Sequence, residues 1–184
     1  MEDIKVKDLM VPLADYATVP EEATLSEAVL ALEAAQARFD RSPYKHRAIL
    51  VLDKAGHVVG KLSQWDLIKG LEPNYERIGD FRMTSRTGFS PDFIKSLIRS
   101  HGLWDQPLRD LCAKAARKRV SQIMYTPTEG EYVTEDASLN EAIHQLIVGH
   151  HQSLLVTRGK EIVGILRLTD VFREVCAIIK SCEV

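Results

Sequence analysis

Gly60-Lys61-Leu62-Ser63-Gln64-Trp65-Asp66 returns 104 residues later as Gly164-Ile165-Leu166-Arg167-Leu168-Thr169-Asp170. Both stretches read as a strand running into a short polar turn and the first turn of a helix. In the first, Ser63 sits where an N-cap would, and Asp66 comes three residues on, a capping box with Asp in place of Glu. Working outward, Ala48-Ile49-Leu50-Val51 meets Ser153-Leu154-Leu155-Val156 at an offset of 105. Val19, Ala23, Leu25, Glu27, Ala28 and Val29 meet Val133, Ala137, Leu139, Glu141, Ala142 and Ile143 at 114, as Leu9-Met10 meets Ile123-Met124. Stepwise offsets are loop-length differences between two versions of one supersecondary unit.

Each copy reads as short strand, helix, strand, strand, helix. Ala17 to Val19 is extended, and Thr24 or Ser26 can cap the helix after it. Leu25, Ala28, Val29, Leu32, Ala35 and Phe39 then share one helix face. Arg41-Ser42-Pro43 stops that helix. Ala48 to Leu52 and Val58 to Leu62 are strands joined by the turn chemistry of Asp53-Lys54-Ala55-Gly56. In the second copy Tyr132-Val133 is the short strand and Ser138 caps a helix with Leu139, Ala142, Ile143, Leu146 and Ile147 on one face. Leu154 to Val156 pairs with Ile162 to Leu166, and a last helix starts at Thr169-Asp170.

Residues 72–118 match neither copy. Ser90-Pro91-Asp92 is a strong helix start, with a cap, a proline at the first position and an acid at the dipole's positive end. Phe93, Leu97 and Ile98 give an apolar face expected to be buried, and Gly102 ends the helix. Asp105-Gln106-Pro107 starts another, ending in basic residues. The segment holds nine Lys/Arg against six Asp/Glu. These patterns set linear boundaries: 1–71 for the first unit, 72–118 for a helical insertion and 119–184 for the second unit.

The leading stretches Val6-Lys7-Asp8-Leu9-Met10 and Val120-Ser121-Gln122-Ile123-Met124 complete the repeat. So do Thr24-Leu25-Ser26-Glu27-Ala28 and Ser138-Leu139-Asn140-Glu141-Ala142. With the two Gly…Asp stretches, this resembles a tandem pair of cystathionine-beta-synthase (CBS) domains, a Bateman module. Each motif alone is weak; three in order, twice, over about two thirds of the chain, are specific. The resemblance implies an α/β (α+β) fold of two βαββα units packed about a pseudo-twofold axis. It implies a cleft between them for AMP, ADP, ATP, S-adenosylmethionine or a related ligand, with no resident cofactor. It implies a regulatory role that signals to a partner protein, and pairing into a homodimer. A constitutive interaction module with empty clefts is the competing class.

On that pattern Asp66 and Asp170 take ribose, while Ser63, Thr169 and Arg167 face phosphate. The backbone around Thr18-Val19 or Tyr132-Val133 meets the base. His46, Arg47 and His151, at the approaches to the middle strands, line the pocket. Arg167 breaks the pattern, because Ser or Thr is expected there. An arginine can clamp a phosphate bidentately, fill the cleft with its own side chain, or point to solvent, and the sequence leaves all three open.

Several classes are disfavoured. No nucleophile–base pair, Gly-rich phosphate loop or H-E-x-x-H motif supports an enzyme. Adjacent His150 and His151 lack ligand partners at metal spacing. A net charge of −2 gives no whole-chain case for nucleic acid, although the basic insertion keeps DNA binding as a minor alternative. No apolar run has the length of a membrane span, and three cysteines without C-x-x-C spacing suit a cytoplasmic chain with buried, inert thiols. Helix faces Leu25 to Phe39 and Leu139 to Ile147 hold more apolar surface than cores this small can cover.

Overall fold

The computed structural model describes residues 4–77 and 88–182. The chain begins with α1 (Val6–Leu9) and β1 (Val11–Pro12), then β2 (Thr18–Pro20), α2 (Leu25–Arg38), β3 (Ala48–Leu52), β4 (Val58–Ser63) and α3 (Gln64–Leu71). The insertion supplies α4 (Pro91–His101) and α5 (Leu108–Ala115). The second copy supplies β5 (Tyr132–Thr134), α6 (Leu139–Gly149), β6 (Ser153–Arg158), β7 (Glu161–Arg167) and α7 (Leu168–Ser181). The mixed α/β architecture expected from the repeat is present.

In each copy a helix carries the chain from a short edge strand to a parallel neighbour, as parallel pairing requires. β2 runs parallel to β3 and β5 to β6; β3–β4 and β6–β7 are antiparallel. The helices start where their caps dictate. Thr24 and Glu27 form a reciprocal capping box, and the Ser138 Oγ accepts from the Glu141 N–H. The middle strands read as continuous apolar runs because both faces are covered. Side chains alternate along them: Ile49 and Val51 join one core and Leu154 and Val156 a second, while Leu50 and Leu155 meet in a third. That third core, with Val11, Tyr16, Phe39 and Ile165, joins the two copies.

The copies are also intertwined. The Val6 N–H donates to the Ala137 carbonyl at 3.0 Å, the Leu139 N–H to Ile4 at 2.9 Å, and β1 adds to the second sheet beside β7. Reciprocally, the Val120 N–H donates to Ala23 at 2.8 Å and Leu25 to Lys118 at 2.9 Å. Val6 is therefore buried in the second copy's core and Val120 in the first's. This exchange gives the motif glycines their reason. A Cβ on Gly60 would collide with the Met124 side chain, and one on Gly164 would lie 2.6 Å from the Val11 carbonyl oxygen. Linear boundaries at 71 and 119 divide the chain but not the packing.

The insertion is tied down at Glu72, a buried carboxylate that accepts from the Trp104 N–H at 2.7 Å and the Asn74 N–H at 3.0 Å. Trp104, at a positive φ of 59°, donates through its indole to the Tyr75 hydroxyl. Leu111 and Ala115 bury α5. The apolar face of α4 corrects the expectation that it is covered: Phe93, Ile94 and Ile98 stay exposed. The cysteines differ too, since Cys112 and Cys182 are exposed and Cys176 is half-buried. On α2 and α6 most of the apolar face does turn inward. Leu30, Ile147 and Val148 stay outside, as do Trp65 and Ile68 on α3 and Phe172 and Ile179 on α7.

Candidate functional site

The two aspartates occupy equivalent positions, each in the first turn of the helix after its copy's last strand, and their surroundings differ sharply. At α3, Ser63 is the N-cap. Its Oγ accepts from the Asp66 N–H at 3.2 Å, and Asp66 Oδ2 accepts from the Ser63 N–H at 2.9 Å and the Ser63 hydroxyl at 2.6 Å. The local pair is thus a complete capping box. Both residues are half-exposed, and Asp66 Oδ1 has no hydrogen bond among the described residues. The Arg47 carbonyl accepts from the Gln64 N–H at 3.1 Å, so this exposed arginine stands beside the helix start. The capping box leaves Asp66 Oδ1 as an acceptor at the helix start, and a carboxylate oxygen there suits the hydroxyls of a sugar.

At α7 the corresponding groups are consumed. Arg167 and Asp170 are 5% and 2% exposed. The guanidinium engages Asp170 bidentately, Nε to Oδ2 at 2.5 Å and Nη2 to Oδ1 at 2.6 Å. Its remaining end crosses to the first copy, where Nη1 donates to the Tyr44 carbonyl at 2.9 Å and faces His46 Nδ1 at 3.4 Å. The Phe39 ring lies under the guanidinium, 4.9 Å from its carbon. His46 is wholly buried, its ring 4.4 Å from Tyr16 and 4.3 Å from Phe39. With Nε2 donating to the Asp15 carbonyl at 3.1 Å, Nδ1 is left to accept from Arg167, the neutral tautomer both neighbours require. Burial, reinforced by the Arg167 charge, pushes the His46 pKa down from 6.5 to about 4. Burial likewise raises the Tyr16 phenol well above its ordinary range.

Of the remaining candidates, Val19 and Val133 point into the cores, and Thr18 and Tyr132 are half-buried on edge strands β2 and β5. Thr169 is half-exposed in the first turn of α7. His151, the counterpart of His46, is half-exposed and bounded by glycines. A Cβ on Gly149 would strike its ring, and Gly130, which aligns with Tyr16, lies beside it. The structure therefore groups His46, Arg167 and Asp170 in one cluster and pairs Ser63 with Asp66 at another helix start, which Arg47 meets through its backbone carbonyl. Sequence reasoning missed Tyr16, Phe39 and Tyr44. The signal was a comparison of unmatched positions: Tyr16 against Gly130, and Ser63 against Arg167.

Beside Asp170 only about 110 Å³ of space remains, bounded by Asp8, Met10, Arg41, Ser42 and Arg173. A shallower cavity of about 380 Å³ lies outside Tyr16 and Phe39, between Asp15, Arg38, Asp40 and Arg41. Among the described residues no group of His, Cys, Asp and Glu side chains is placed to hold a metal. No described helix is long and apolar enough to cross a membrane.

Two intertwined βαββα units, each with an aspartate in the first turn of its last helix, define a paired-repeat module. The chain belongs to the CBS domain family, whose model matches residues 6–73 and 106–177. Its fold is similar to that of CBSX2, solved in complex with AMP (19% identity, TM-score 0.58, 95% of this chain and 98% of that one). A CBS domain-containing protein of unknown function from Bacillus anthracis is also similar (17% identity, TM-score 0.61, 97% and 95%). So is the cytosolic domain of the Mg2+ channel MgtE, solved in complex with ATP (23% identity, TM-score 0.55); the alignment covers 95% of this chain but 49% of that one. Among curated proteins none matches the sequence.

Proposed function

We propose that this chain is a ligand-sensing regulatory module that takes an adenine nucleotide or related adenosyl ligand between its CBS units and signals occupancy to a partner protein. It binds and does no chemistry on the ligand. The observation that carries this reading is the half-exposed Asp66 at the start of α3, whose Oδ1 has no hydrogen bond among the described residues. A carboxylate accepts from both hydroxyls of a ribose, and the helix start with Arg47 suits phosphate. The AMP and ATP complexes of CBSX2 and MgtE support the ligand class. Titration calorimetry against AMP, ADP, ATP and S-adenosylmethionine tests it. Micromolar binding by at least one is expected, with a matching rise in melting temperature. No binding by any of them returns the chain to the class of constitutive interaction modules.

The exposed apolar residues support a homodimer as the working form. Trp65 and Ile68 on α3, and Phe172 and Ile179 on α7, leave a large apolar surface on helices that end the two repeats. Light scattering is expected to give twice the chain mass at micromolar concentration. A monomer over that whole range removes the dimer.

A further inference from the structure

We infer that Arg167 is a built-in occupant of the second cleft: it takes the place a ligand would fill, and so fixes the module at one nucleotide per chain. This rests on the ligand class proposed above. The Arg167 and Asp170 side chains of the second site are answered from within. Both oxygens of Asp170 are bound by one guanidinium and the residue is 2% exposed, so ribose hydroxyls have no open approach to it. The guanidinium extends from the end of β7 to the Tyr44 carbonyl and His46, and so bridges the two units as a ligand in the cleft would. Tyr16 and Phe39 wall the cluster around His46, whereas Gly130, the counterpart of Tyr16, and Gly149 stand beside His151. The cavity that reaches Asp170 holds about 110 Å³, well under the roughly 300 Å³ at which small-molecule pockets begin, and the larger one of about 380 Å³ outside Tyr16 and Phe39 reaches neither Arg167 nor Asp170.

The two clefts therefore have different tasks. The second is a permanent bridge that holds one edge of the paired units together. Only the first, where Ser63 replaces the arginine, is free to report a ligand. Arg167 is thus an occupancy-determining residue, and exchanging it for the residue of the first copy should reopen the site. Arg167→Ser is the natural test, because Ser63 and Asp66 show that a serine at this spacing satisfies the aspartate through a capping box. Arg167→Gln is the second variant, keeping a donor toward Asp170 while removing the charge.

The experiment is calorimetric stoichiometry with AMP and with ATP on four proteins: wild type, Arg167→Ser, Asp66→Ala, and Asp66→Ala with Arg167→Ser. Melting curves establish that each is folded. The expected numbers of tightly bound ligands per chain are one, two, none and one, because the Asp66→Ala site is weakened roughly ten- to a hundredfold. A wild-type number of two, or an Asp66→Ala protein that still binds one at wild-type affinity, shows the second cleft open and overturns the inference. A ratio that stays at one in folded Arg167→Ser overturns it too, and Arg167→Gln decides the case if the serine variant does not fold. No binding by wild type with one equivalent in Arg167→Ser supports the inference while removing the proposed role of Asp66. No binding by any of the four ends both.

Discussion

Acidification from neutral pH to about pH 4 should strip on the order of 2–3 kcal/mol from the folded protein through His46 alone. In the unfolded chain this imidazole titrates near 6.5, and in the folded chain it is held down to about 4. The unfolded state therefore binds the extra proton throughout that interval, and stability falls as pH falls. The contribution is fully present above pH 6.5, declines toward pH 4 and levels off below. The groups facing His46 explain the direction. Burial against Tyr16 and Phe39 leads, Arg167 opposes a second positive charge at 3.4 Å, and Lys45 adds weakly to it. The Asp15 carbonyl and the Asp170 charge act the other way and lose. His46→Gln isolates the effect, since an amide can donate to Asp15 and accept from Arg167 without titrating. Urea unfolding at pH 7, 5.5 and 4.5 should show the wild type losing stability more steeply than the variant. Parallel profiles would mean that His46 is already charged or solvated in the native state.

The strands and helices that frame this cluster were legible in the sequence because each was written twice. The apolar run Ala48–Leu52 is a strand over the same residues in the fold, and the caps at Thr24, Ser63, Ser90 and Ser138 form as their side chains dictate. The exchange of leading stretches was not legible. Val6 and Val120 carry the same pattern, and nothing local says that each belongs in the other copy's core. The trace it leaves is indirect, a glycine at 60 and at 164 where a neighbouring chain passes too close for a Cβ. The fate of Arg167 was undecidable for a related reason. Its partners Tyr44 and His46 lie more than a hundred residues away, and only the closed fold brings them within reach. The face of α4 fails differently: periodicity puts Phe93, Leu97 and Ile98 on one side of a helix, but does not say whether anything packs there, and Phe93 and Ile98 stay exposed.

At the other cleft, Asp66→Ala should weaken nucleotide binding by roughly ten- to a hundredfold, the equivalent of about 1.5–3 kcal/mol for a charge-assisted hydrogen-bonded contact. The substitution also removes the acceptor half of the α3 capping box, so a stability loss of about 1 kcal/mol accompanies it. Affinity alone would therefore not separate a lost ligand contact from a loosened helix. A 2′-deoxy nucleotide makes the separation, because it deletes one ribose hydroxyl and leaves the protein untouched. If Asp66 holds the ribose, the deoxy ligand binds wild type several-fold more weakly than its parent, while Asp66→Ala scarcely distinguishes the two. The double-mutant logic then assigns the coupling to this carboxylate and hydroxyl rather than to the cap. Ser63→Ala offers the reverse pattern: it removes the cap hydroxyl, keeps the carboxylate, and should preserve discrimination against the deoxy ligand. Equal binding of both ligands by wild type would place the ribose elsewhere in the cleft and leave Asp66 as a helix cap. Asp170→Ala should leave the affinity of the single site nearly unchanged, since its carboxylate is already spoken for by Arg167.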